Sequence, residues 1–469
     1  MVSALGQAIY RFPLKCSWDA ARHLSSTQNL QAQSVAIKKS SAVTQAKNVV
    51  LVEGVRTPFL LSGTDYVDLM SHDLARVAMQ GLLTQTSLPK EIVDYIIYGT
   101  VVQEVKTSNI AREAALGAGF PDRIPAHTVT MACISSNQAV TTAAGLIVTG
   151  QCDTVVAGGV EFMSDIPIRL SRQMRQMLLS LNKAKSMNGA LSLLRKVSPC
   201  YLALDFPALA EFSTSELMGH SADRLAAAFQ VSRLEQDEFA LRSHTLAKKA
   251  QEDGLLTDVI PFKMPGGRIV TKDNCIRPSP LEQMGKIKPA FIWPHGTVTA
   301  GTSSVLTDGA SAVLIMSEEK ALAFGFKPKV YLRDFVYVSQ DPKDQLLLGP
   351  TYGTSKVLEI SGLTIADIDV FEFHEAFAAQ VLANMKALDS DWFVQTYLGK
   401  QSKVGAPPLE KVNKWGGSLS LGHPFGATGS RLLTMAAHRL QKEGGQFALV
   451  AACAAGGLGH AIILEAYPQ

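Results

Sequence analysis

Four side chains in this sequence have the types and settings that nucleophilic chemistry needs. Cys133 lies in Thr128-Val129-Thr130-Met131-Ala132-Cys133-Ile134-Ser135-Ser136-Asn137-Gln138-Ala139. A strand-like T-V-T gives way there to an Ala-rich helical pattern that runs to about Val148. The thiol therefore falls near a helix N-terminus, where the dipole and free N–H groups lower the pKa of a cysteine. A lone Cys in apolar surroundings also reads as a small core residue. His423 sits in the segment 413–429, which holds five glycines and places Pro424 next to the histidine. Such a segment lets backbone approach a ligand closely and fixes the imidazole; it also reads as a glycine-rich structural turn. Cys453 opens the loop Cys453-Ala454-Ala455-Gly456-Gly457-Leu458-Gly459, and His374 stands at a strand-to-helix change in Phe373-His374-Glu375-Ala376-Phe377-Ala378. Two thiols and two imidazoles, each in a loop beside a strand, point to thiol chemistry with acid and base assistance.

The elements that must position them follow from the apolar pattern. Short β-branched runs at Val49–Val52, Tyr95–Tyr98, Thr154–Ala157, Ala312–Met316, Ile368–Phe371, Phe447–Ala452 and Ala461–Glu465 read as strands. Amphipathic stretches at Asp73–Leu83, Leu234–Gln251 and Ser430–Lys442 read as helices between them. This alternation implies βαβ units in layered α/β domains, two to four of them in 469 residues. A strand runs into paired glycines twice, at Thr154–Gly159 and at Leu449–Gly457, which hints at internal duplication. The apolar run Phe447–Leu464 is long enough to suggest a membrane span, but Gly456, Gly457 and Gly459 cut it into two short buried strands. Hydrophobic residues at 47% and charged residues at 18% exclude a wholly disordered or fibrous chain, and a net charge of +3 gives no electrostatic footprint for nucleic acid. The six cysteines form no C-x-x-C pair, so a disulfide framework or zinc site is not expected and a reducing compartment fits.

Two segments stand apart. Residues 1–47 carry six basic residues against one acid, Asp19, and are rich in serine, which reads as a mitochondrial presequence or a disordered tail. Residues 166–204 carry seven basic residues and no acid. Within them Leu170, Met174, Met177, Leu178 and Leu181 recur at helical spacing, with Arg169, Arg172 and Arg175 opposite. A basic amphipathic helix of this kind suits an anionic membrane surface, a partner groove, or simple packing on its own domain.

Taken in order, these motifs strongly resemble those of the thiolases, the acetyl-CoA acyltransferases. The resemblance runs from Arg56-Thr57-Pro58 to the C-terminus. It takes in Asn109–Arg112, the Cys133 segment, Gly158–Ser164, Gly296–Gly301, Asp308-Gly309-Ala310, His374–Phe377, Gly422-His423-Pro424 and the Cys453 loop. It implies a five-layered αβαβα architecture of two duplicated halves, with a loop domain inserted in the first. The implied boundaries are 48–162 completed by 307–327 for the N-terminal half, 163–306 for the loop domain, and 328–469 for the C-terminal half.

The resemblance also implies roles. Cys133 is the nucleophile that carries the acyl group, His423 deprotonates it, and Cys453 is the second acid/base. The backbone N–H groups of Cys133 and Ala455, with His374 and His423, stabilise oxyanions. Met218, Ala300 and Ser304 line the bound CoA. The implied reaction is cleavage of a 3-ketoacyl-CoA by coenzyme A as cosubstrate, with no permanently bound cofactor and no metal. The presequence and His374 place the chain beside those thiolases that act on long chains. These work with an α subunit carrying enoyl-CoA hydratase and 3-hydroxyacyl-CoA dehydrogenase activities, as a β–β dimer within a hetero-oligomer on the matrix side of the mitochondrial inner membrane, where anionic lipid is a further partner. Nucleic acid is not an expected partner.

The sequence departs from the family pattern at several points. Most thiolases have Asn at the position of His374, and the longer imidazole could reach the thioester oxygen directly. Ala455 replaces a usual Gly, keeping the N–H but adding a methyl. Leu217 and Thr302 replace a common His and Asn, and 166–204 is longer than usual. The alternatives are a Claisen-condensing enzyme of the same superfamily, disfavoured by Cys453, and a non-catalytic membrane scaffold, disfavoured by the complete set of thiols and histidines.

Overall fold

The computed structural model describes residues 47–207 and 210–468. The expected presequence, except Lys47, lies outside the described residues, as does Cys16. The first half runs β1 (Val49–Arg56), α1 (Ser71–Thr86), β2 (Tyr95–Gly99), α2 (Ile110–Gly117), β3 (Ala126–Val129), α3 (Ser135–Val148) and β4 (Thr154–Glu161). A long excursion follows, with helices α4 (Arg172–Asn182), α5 (Met187–Leu194), α6 (Met218–Ala228) and α7 (Arg233–Glu252), before β5 (Thr307–Ser317) returns to the sheet. The second half runs β6 (Val330–Ser339), α8 (Gly349–Ser361), β7 (Val370–Phe373), α9 (Ala378–Leu388), α10 (Thr428–Glu443), β8 (Phe447–Ala454) and β9 (Leu458–Ala466).

The pairing repeats itself. In the first half β2 is parallel to β3 and β4, β4 is antiparallel to β5, and β5 is antiparallel to β1. In the second half β7 is parallel to β8, β8 antiparallel to β9, and β9 antiparallel to β6. β4 and β8 thus occupy equivalent places and the halves are duplicated, but the glycine pairs do not correspond: Gly158 and Gly159 lie within β4, whereas Gly456 and Gly457 form the turn after β8. The two sheets join through a short antiparallel contact of β1 with β6, Val50 opposite Tyr331 and Leu51 opposite Val330.

Strands buried on both faces read as continuous apolar runs rather than as alternation, and β4 and β5 are buried along their whole lengths. Neighbouring residues on one strand then feed different layers. Ile96, Val156 and Leu314 pack outward against Leu74, Ala78 and Leu82 of α1 and Ile110 and Ala114 of α2. Ile97, Val155 and Ile315 pack inward against Ala139, Val140 and Ala143 of α3 and Leu432, Leu433 and Ala436 of α10. The same two helices meet Val370, Ala448 and Val450 of the second sheet, whose far face, Phe371, Phe373 and Leu449, is covered by Val357 of α8 and Val381 of α9. This is the five-layered αβαβα arrangement. At roughly 25 cal/mol per Å² of apolar surface, the central layer that both sheets share holds the halves together.

The apolar run Phe447–Leu464 forms the β8–β9 hairpin turning at the Gly456–Gly457 pair, as the glycines indicate. Among the described residues no helix is long and apolar enough to cross a membrane. β6 escaped the apolar pattern for a visible reason: Arg333 and Asp334 interrupt it, and the register with β9 slips between Leu332 and Phe335. In the basic segment the helix begins at Arg172, so Arg169 and Leu170 belong instead to a two-residue strand paired with Leu204–Asp205. Of the expected apolar face, Met174 is buried while Leu170 and Leu178 stay exposed; on α5 Met187 is 88% exposed. Met177 and Leu181 are half-buried, so this face is only partly consumed by packing within the described chain.

Candidate active site

Polar side chains collect at the C-terminal ends of the parallel strands, where an α/β sheet leaves its crevice. After β3 the chain turns sharply at Ala132, with φ 46°, a conformation that costs a non-glycine residue about 1–3 kcal/mol. Ser135 holds the turn: its Oγ accepts the Met131 N–H at 2.8 Å and donates to the Ala132 carbonyl at 2.6 Å. Cys133 thus projects from a strained corner two residues ahead of α3. On the second sheet, His374 follows β7 and donates its backbone N–H to Ala451 of β8 at 2.8 Å. Because Phe373 lies opposite Ala451, His374 and Cys453 emerge from neighbouring strand ends.

The two thiols are neighbours. Burial pushes the Cys133 thiol up to about 12, helped by the nearby carboxylates of Glu161 and Glu211, although the N–H groups of Ala455 and of Cys133 itself point at the sulfur and pull the other way. Burial also raises Cys453, with the Cys133 thiol adding to the effect. The sequence led us to expect a thiolate stabilised by a helix N-terminus. Here desolvation of the sulfur opposes the N–H groups and favours the neutral thiol, although Cys133 as a whole residue is only half-buried. Ala455 is not among the residues with left-handed backbone, which fall to Gly456 and Gly457, so its methyl imposes no φ strain.

The two imidazoles are stacked obliquely, with ring centroids 4.1 Å apart. The Nδ1 of His423 pairs with Thr428 Oγ1 at 2.7 Å, and Thr428 donates its own proton to the Pro424 carbonyl at 3.0 Å. The hydroxyl can therefore only accept, which puts the His423 proton on Nδ1 and leaves a lone pair on Nε2. That Nε2, like Nε2 of His374, is buried with no protein partner. Both rings are held neutral: burial, then the charge of Arg431, push His374 down to about 3, and burial, His374 and Arg431 push His423 well below its ordinary value. The two halves of the site are tied through Glu161. Its carboxylate accepts the N–H groups of Val101 at 3.1 Å, Val102 at 2.9 Å and Gly426, from the His423 loop, at 2.9 Å. Burial still lifts that carboxyl to about 7. Gly426 has no room for a side chain, since a Cβ there would meet the Val160 carbonyl.

Met218 packs on the apolar cluster that contains Cys453, Ala376 and Phe377. Ser304 donates its N–H to the Ala376 carbonyl at 2.9 Å, so the 299–304 loop lies beside the His374 loop, with Ala300 exposed on it. The structure thus brings the residues singled out in the sequence to one region. Sequence reasoning missed the buried polar frame around them: Ser418, Thr428, Arg431 and Ser243 were given no part, and Glu161 and Glu375 appeared only as letters of motifs. Glu375 accepts from Asn413 Nδ2 at 2.6 Å, Ser243 Oγ at 2.8 Å and the Leu419 N–H at 3.2 Å, anchoring the loop that leads to His423. The one available signal was charged residues inside otherwise apolar strand and helix patterns. Among the described residues no three His, Cys, Asp or Glu side chains converge as a metal-binding group.

Residues 49–319 match the thiolase N-terminal domain and residues 326–466 the thiolase C-terminal domain. The chain is 70% identical over 457 residues to the mitochondrial trifunctional enzyme subunit beta of Homo sapiens, covering 97% of this chain and 95% of that one. It is 68% identical to the corresponding subunit of Bos taurus over the full length of both. Among solved structures, human mitochondrial 3-ketoacyl-CoA thiolase in complex with CoA superposes with a TM-score of 0.77 at 29% identity, covering 90% of this chain and 98% of that one. With both domains matched in order on a duplicated αβαβα frame, the chain belongs to the thiolase family.

Proposed function

We propose that this chain is a mitochondrial 3-ketoacyl-CoA thiolase that shortens acyl chains by two carbons. The observation that supports it most is the pairing of two thiols, Cys453 buried and Cys133 half-buried, with two buried imidazoles whose Nε2 atoms have no protein partner. His423 Nε2 takes the Cys133 proton as the sulfur attacks the C3 ketone of the substrate. The C2–C3 bond breaks, its electron pair leaves on C2 as the enolate of acetyl-CoA, and Cys453 gives that carbon a proton. Cys133 is left as an acyl thioester. Cys453, now a thiolate, deprotonates incoming CoA, whose sulfur attacks the acyl carbonyl and releases Cys133, which takes its proton back from His423. The N–H groups of Cys133 and Ala455, with His374, meet the developing oxyanions, and Met218, Ala300 and Ser304 line the CoA arm.

The relatives' name implies an alpha subunit, and we extend this to a hetero-oligomer built on a β–β dimer at the matrix face of the inner membrane, acting on long chains. The partly uncovered apolar face and the positive charge of 166–204, of which Arg175 is paired with Asp205, support that segment as the contact with anionic lipid. The test of the function is to incubate the protein with a 3-ketoacyl-CoA lacking free CoA and map the acylated peptide by mass spectrometry. Acylation of Cys133 is expected; acylation at Cys453 with Cys133 unmodified would overturn the assignment.

A further inference from the structure

The buried frame behind His374 contains an arrangement that the reaction scheme does not by itself require. Arg431, on α10 and fully buried, donates from Nη2 to Ser418 Oγ at 2.6 Å. The same Ser418 oxygen lies 2.9 Å from His374 Nδ1. On the far side of the ring, His374 Nε2 has no protein partner. Glu372, also fully buried, sits 4.0 Å from Arg431 Nη1 and 2.8 Å from Arg439 Nη1, which keeps the guanidinium charge partly compensated.

A serine hydroxyl has one proton and two lone pairs. The guanidinium occupies one lone pair and polarises the O–H bond. If His374 carried its proton on Nδ1, it would take the second lone pair, and the Ser418 proton would be left in a buried site with no other acceptor in the hydrogen-bond network. If Nδ1 is bare, Ser418 donates to it and every group is used. Protonation of both nitrogens is opposed by burial and by the Arg431 charge.

We infer that Arg431 and Ser418 are positioning residues that hold His374 in the tautomer with its proton on Nε2, aimed into the site as a hydrogen-bond donor. His423 is held by Thr428 in the opposite tautomer, with an Nε2 lone pair. Two stacked neutral histidines therefore face the substrate with opposite polarity, one as base and the other as donor. A neutral imidazole can serve either way, and nothing in the ring itself selects the choice. The hydroxyl behind each ring selects it, through what that hydroxyl is obliged to do with its own proton. This inference rests on the thiolase reading for its consequence, but the tautomer itself does not.

The experiment uses the full chain and two kinds of readout. Ser418→Ala should lower kcat for 3-ketoacyl-CoA cleavage about tenfold to a hundredfold, as loss of a group that orients a reacting residue does, with KM nearly unchanged. Ser418→Thr, which keeps the hydroxyl, should regain most of it. In a His374→Asn background, Ser418→Ala should cost nothing further, because Ser418 acts only through that ring. An equal loss in both backgrounds, or full activity of the Ala variant in the wild-type background, would overturn the inference. Independently, ¹⁵N spectra of histidine-labelled protein should show, for the resonances that vanish in His374→Asn, a proton on Nε2; a proton on Nδ1 refutes the assignment whether or not any variant is well folded. Should the wild-type chain neither acylate Cys133 nor cleave a 3-ketoacyl-CoA, the thiolase reading fails while the spectrum still decides the tautomer.

Discussion

Replacing Cys453 by serine separates the two halves of the proposed reaction. Transfer of an acyl group from a simple acyl-CoA to Cys133 requires His423 and the oxyanion donors but no carbon protonation. Cleavage of a 3-ketoacyl-CoA requires a proton for the departing enolate. Cys453 is 1% exposed and sits in an apolar cluster with Val298, Ala376 and Phe377, so bulk water has little access to stand in for it. Loss of a positioned acid/base costs about 10²–10⁴ in rate, or about 2.7–5.4 kcal/mol at 1.36 kcal/mol per decade. The stability cost is smaller. Serine is nearly isosteric, and burying its hydroxyl costs about 1–3 kcal/mol, a shift of a few degrees in melting temperature for a chain this size. Activity measured at 25 °C therefore reports chemistry rather than unfolding. In single-turnover assays Cys453→Ser should lose 3-ketoacyl-CoA cleavage by the factor above and lose acylation of Cys133 from acyl-CoA far less, because a CoA thiolate leaves with much less need of a proton than a carbanion does. An equal fall in both half-reactions would show that Cys453 is only packing and that the second acid/base lies elsewhere.

Other perturbations test neighbouring links. His374→Ala should cost roughly 10²–10³ in turnover, the usual loss of one oxyanion donor, and His374→Asn should recover part of it by recruiting water; a fully active Ala variant would reduce His374 to filler. Because burial raises the Cys133 thiol to about 12, its alkylation by a neutral reagent in the absence of substrate should keep rising about tenfold per pH unit beyond pH 9, and a plateau already reached at pH 8 would reveal a standing thiolate. Changing Arg169, Arg172 and Arg175 to Glu should abolish flotation of the chain with cardiolipin vesicles at low salt, at about 1 kcal/mol per basic residue near such a surface, while turnover of a short soluble substrate stays intact; equal flotation of both proteins refutes lipid docking by this segment.

Much of the frame was legible because its signals are local. A strand buried on both faces must be apolar throughout, so Val155 and Val156 announce β4 although they feed different cores. Paired glycines announce the turn after β8. The basic amphipathic segment was visible, but the start of its helix was not, since nothing in the side-chain pattern tells that Leu170 pairs with Leu204 instead of entering the helix. The four candidate side chains could be named because each sits in a glycine- or alanine-rich loop beside a strand. Their electrostatic state could not be named, because it depends on burial produced by chain segments hundreds of residues apart. Glu161 reaches Gly426 across 265 positions, and Ser243 reaches Glu375 across 132.

That dependence changes the sense of the site. A helix N-terminus beside Cys133 argues for a standing thiolate, and so does an imidazole nearby. Burial in the folded chain instead favours the uncharged forms of the thiols and of both imidazoles. A thiolate–imidazolium pair in a dry pocket would have to be formed against desolvation before any substrate arrived. Held neutral, the proton moves only when the attacked carbonyl supplies an oxyanion that the backbone N–H groups and a donor imidazole can receive, so the cost of charge separation is met by interactions that exist only in the transition state. For this to work the two rings cannot be interchangeable. One Nε2 must be able to accept a proton while its neighbour, one ring away, donates one. In this fold that asymmetry is carried by Thr428 behind His423 and by Ser418 and Arg431 behind His374, which touch no substrate under this scheme.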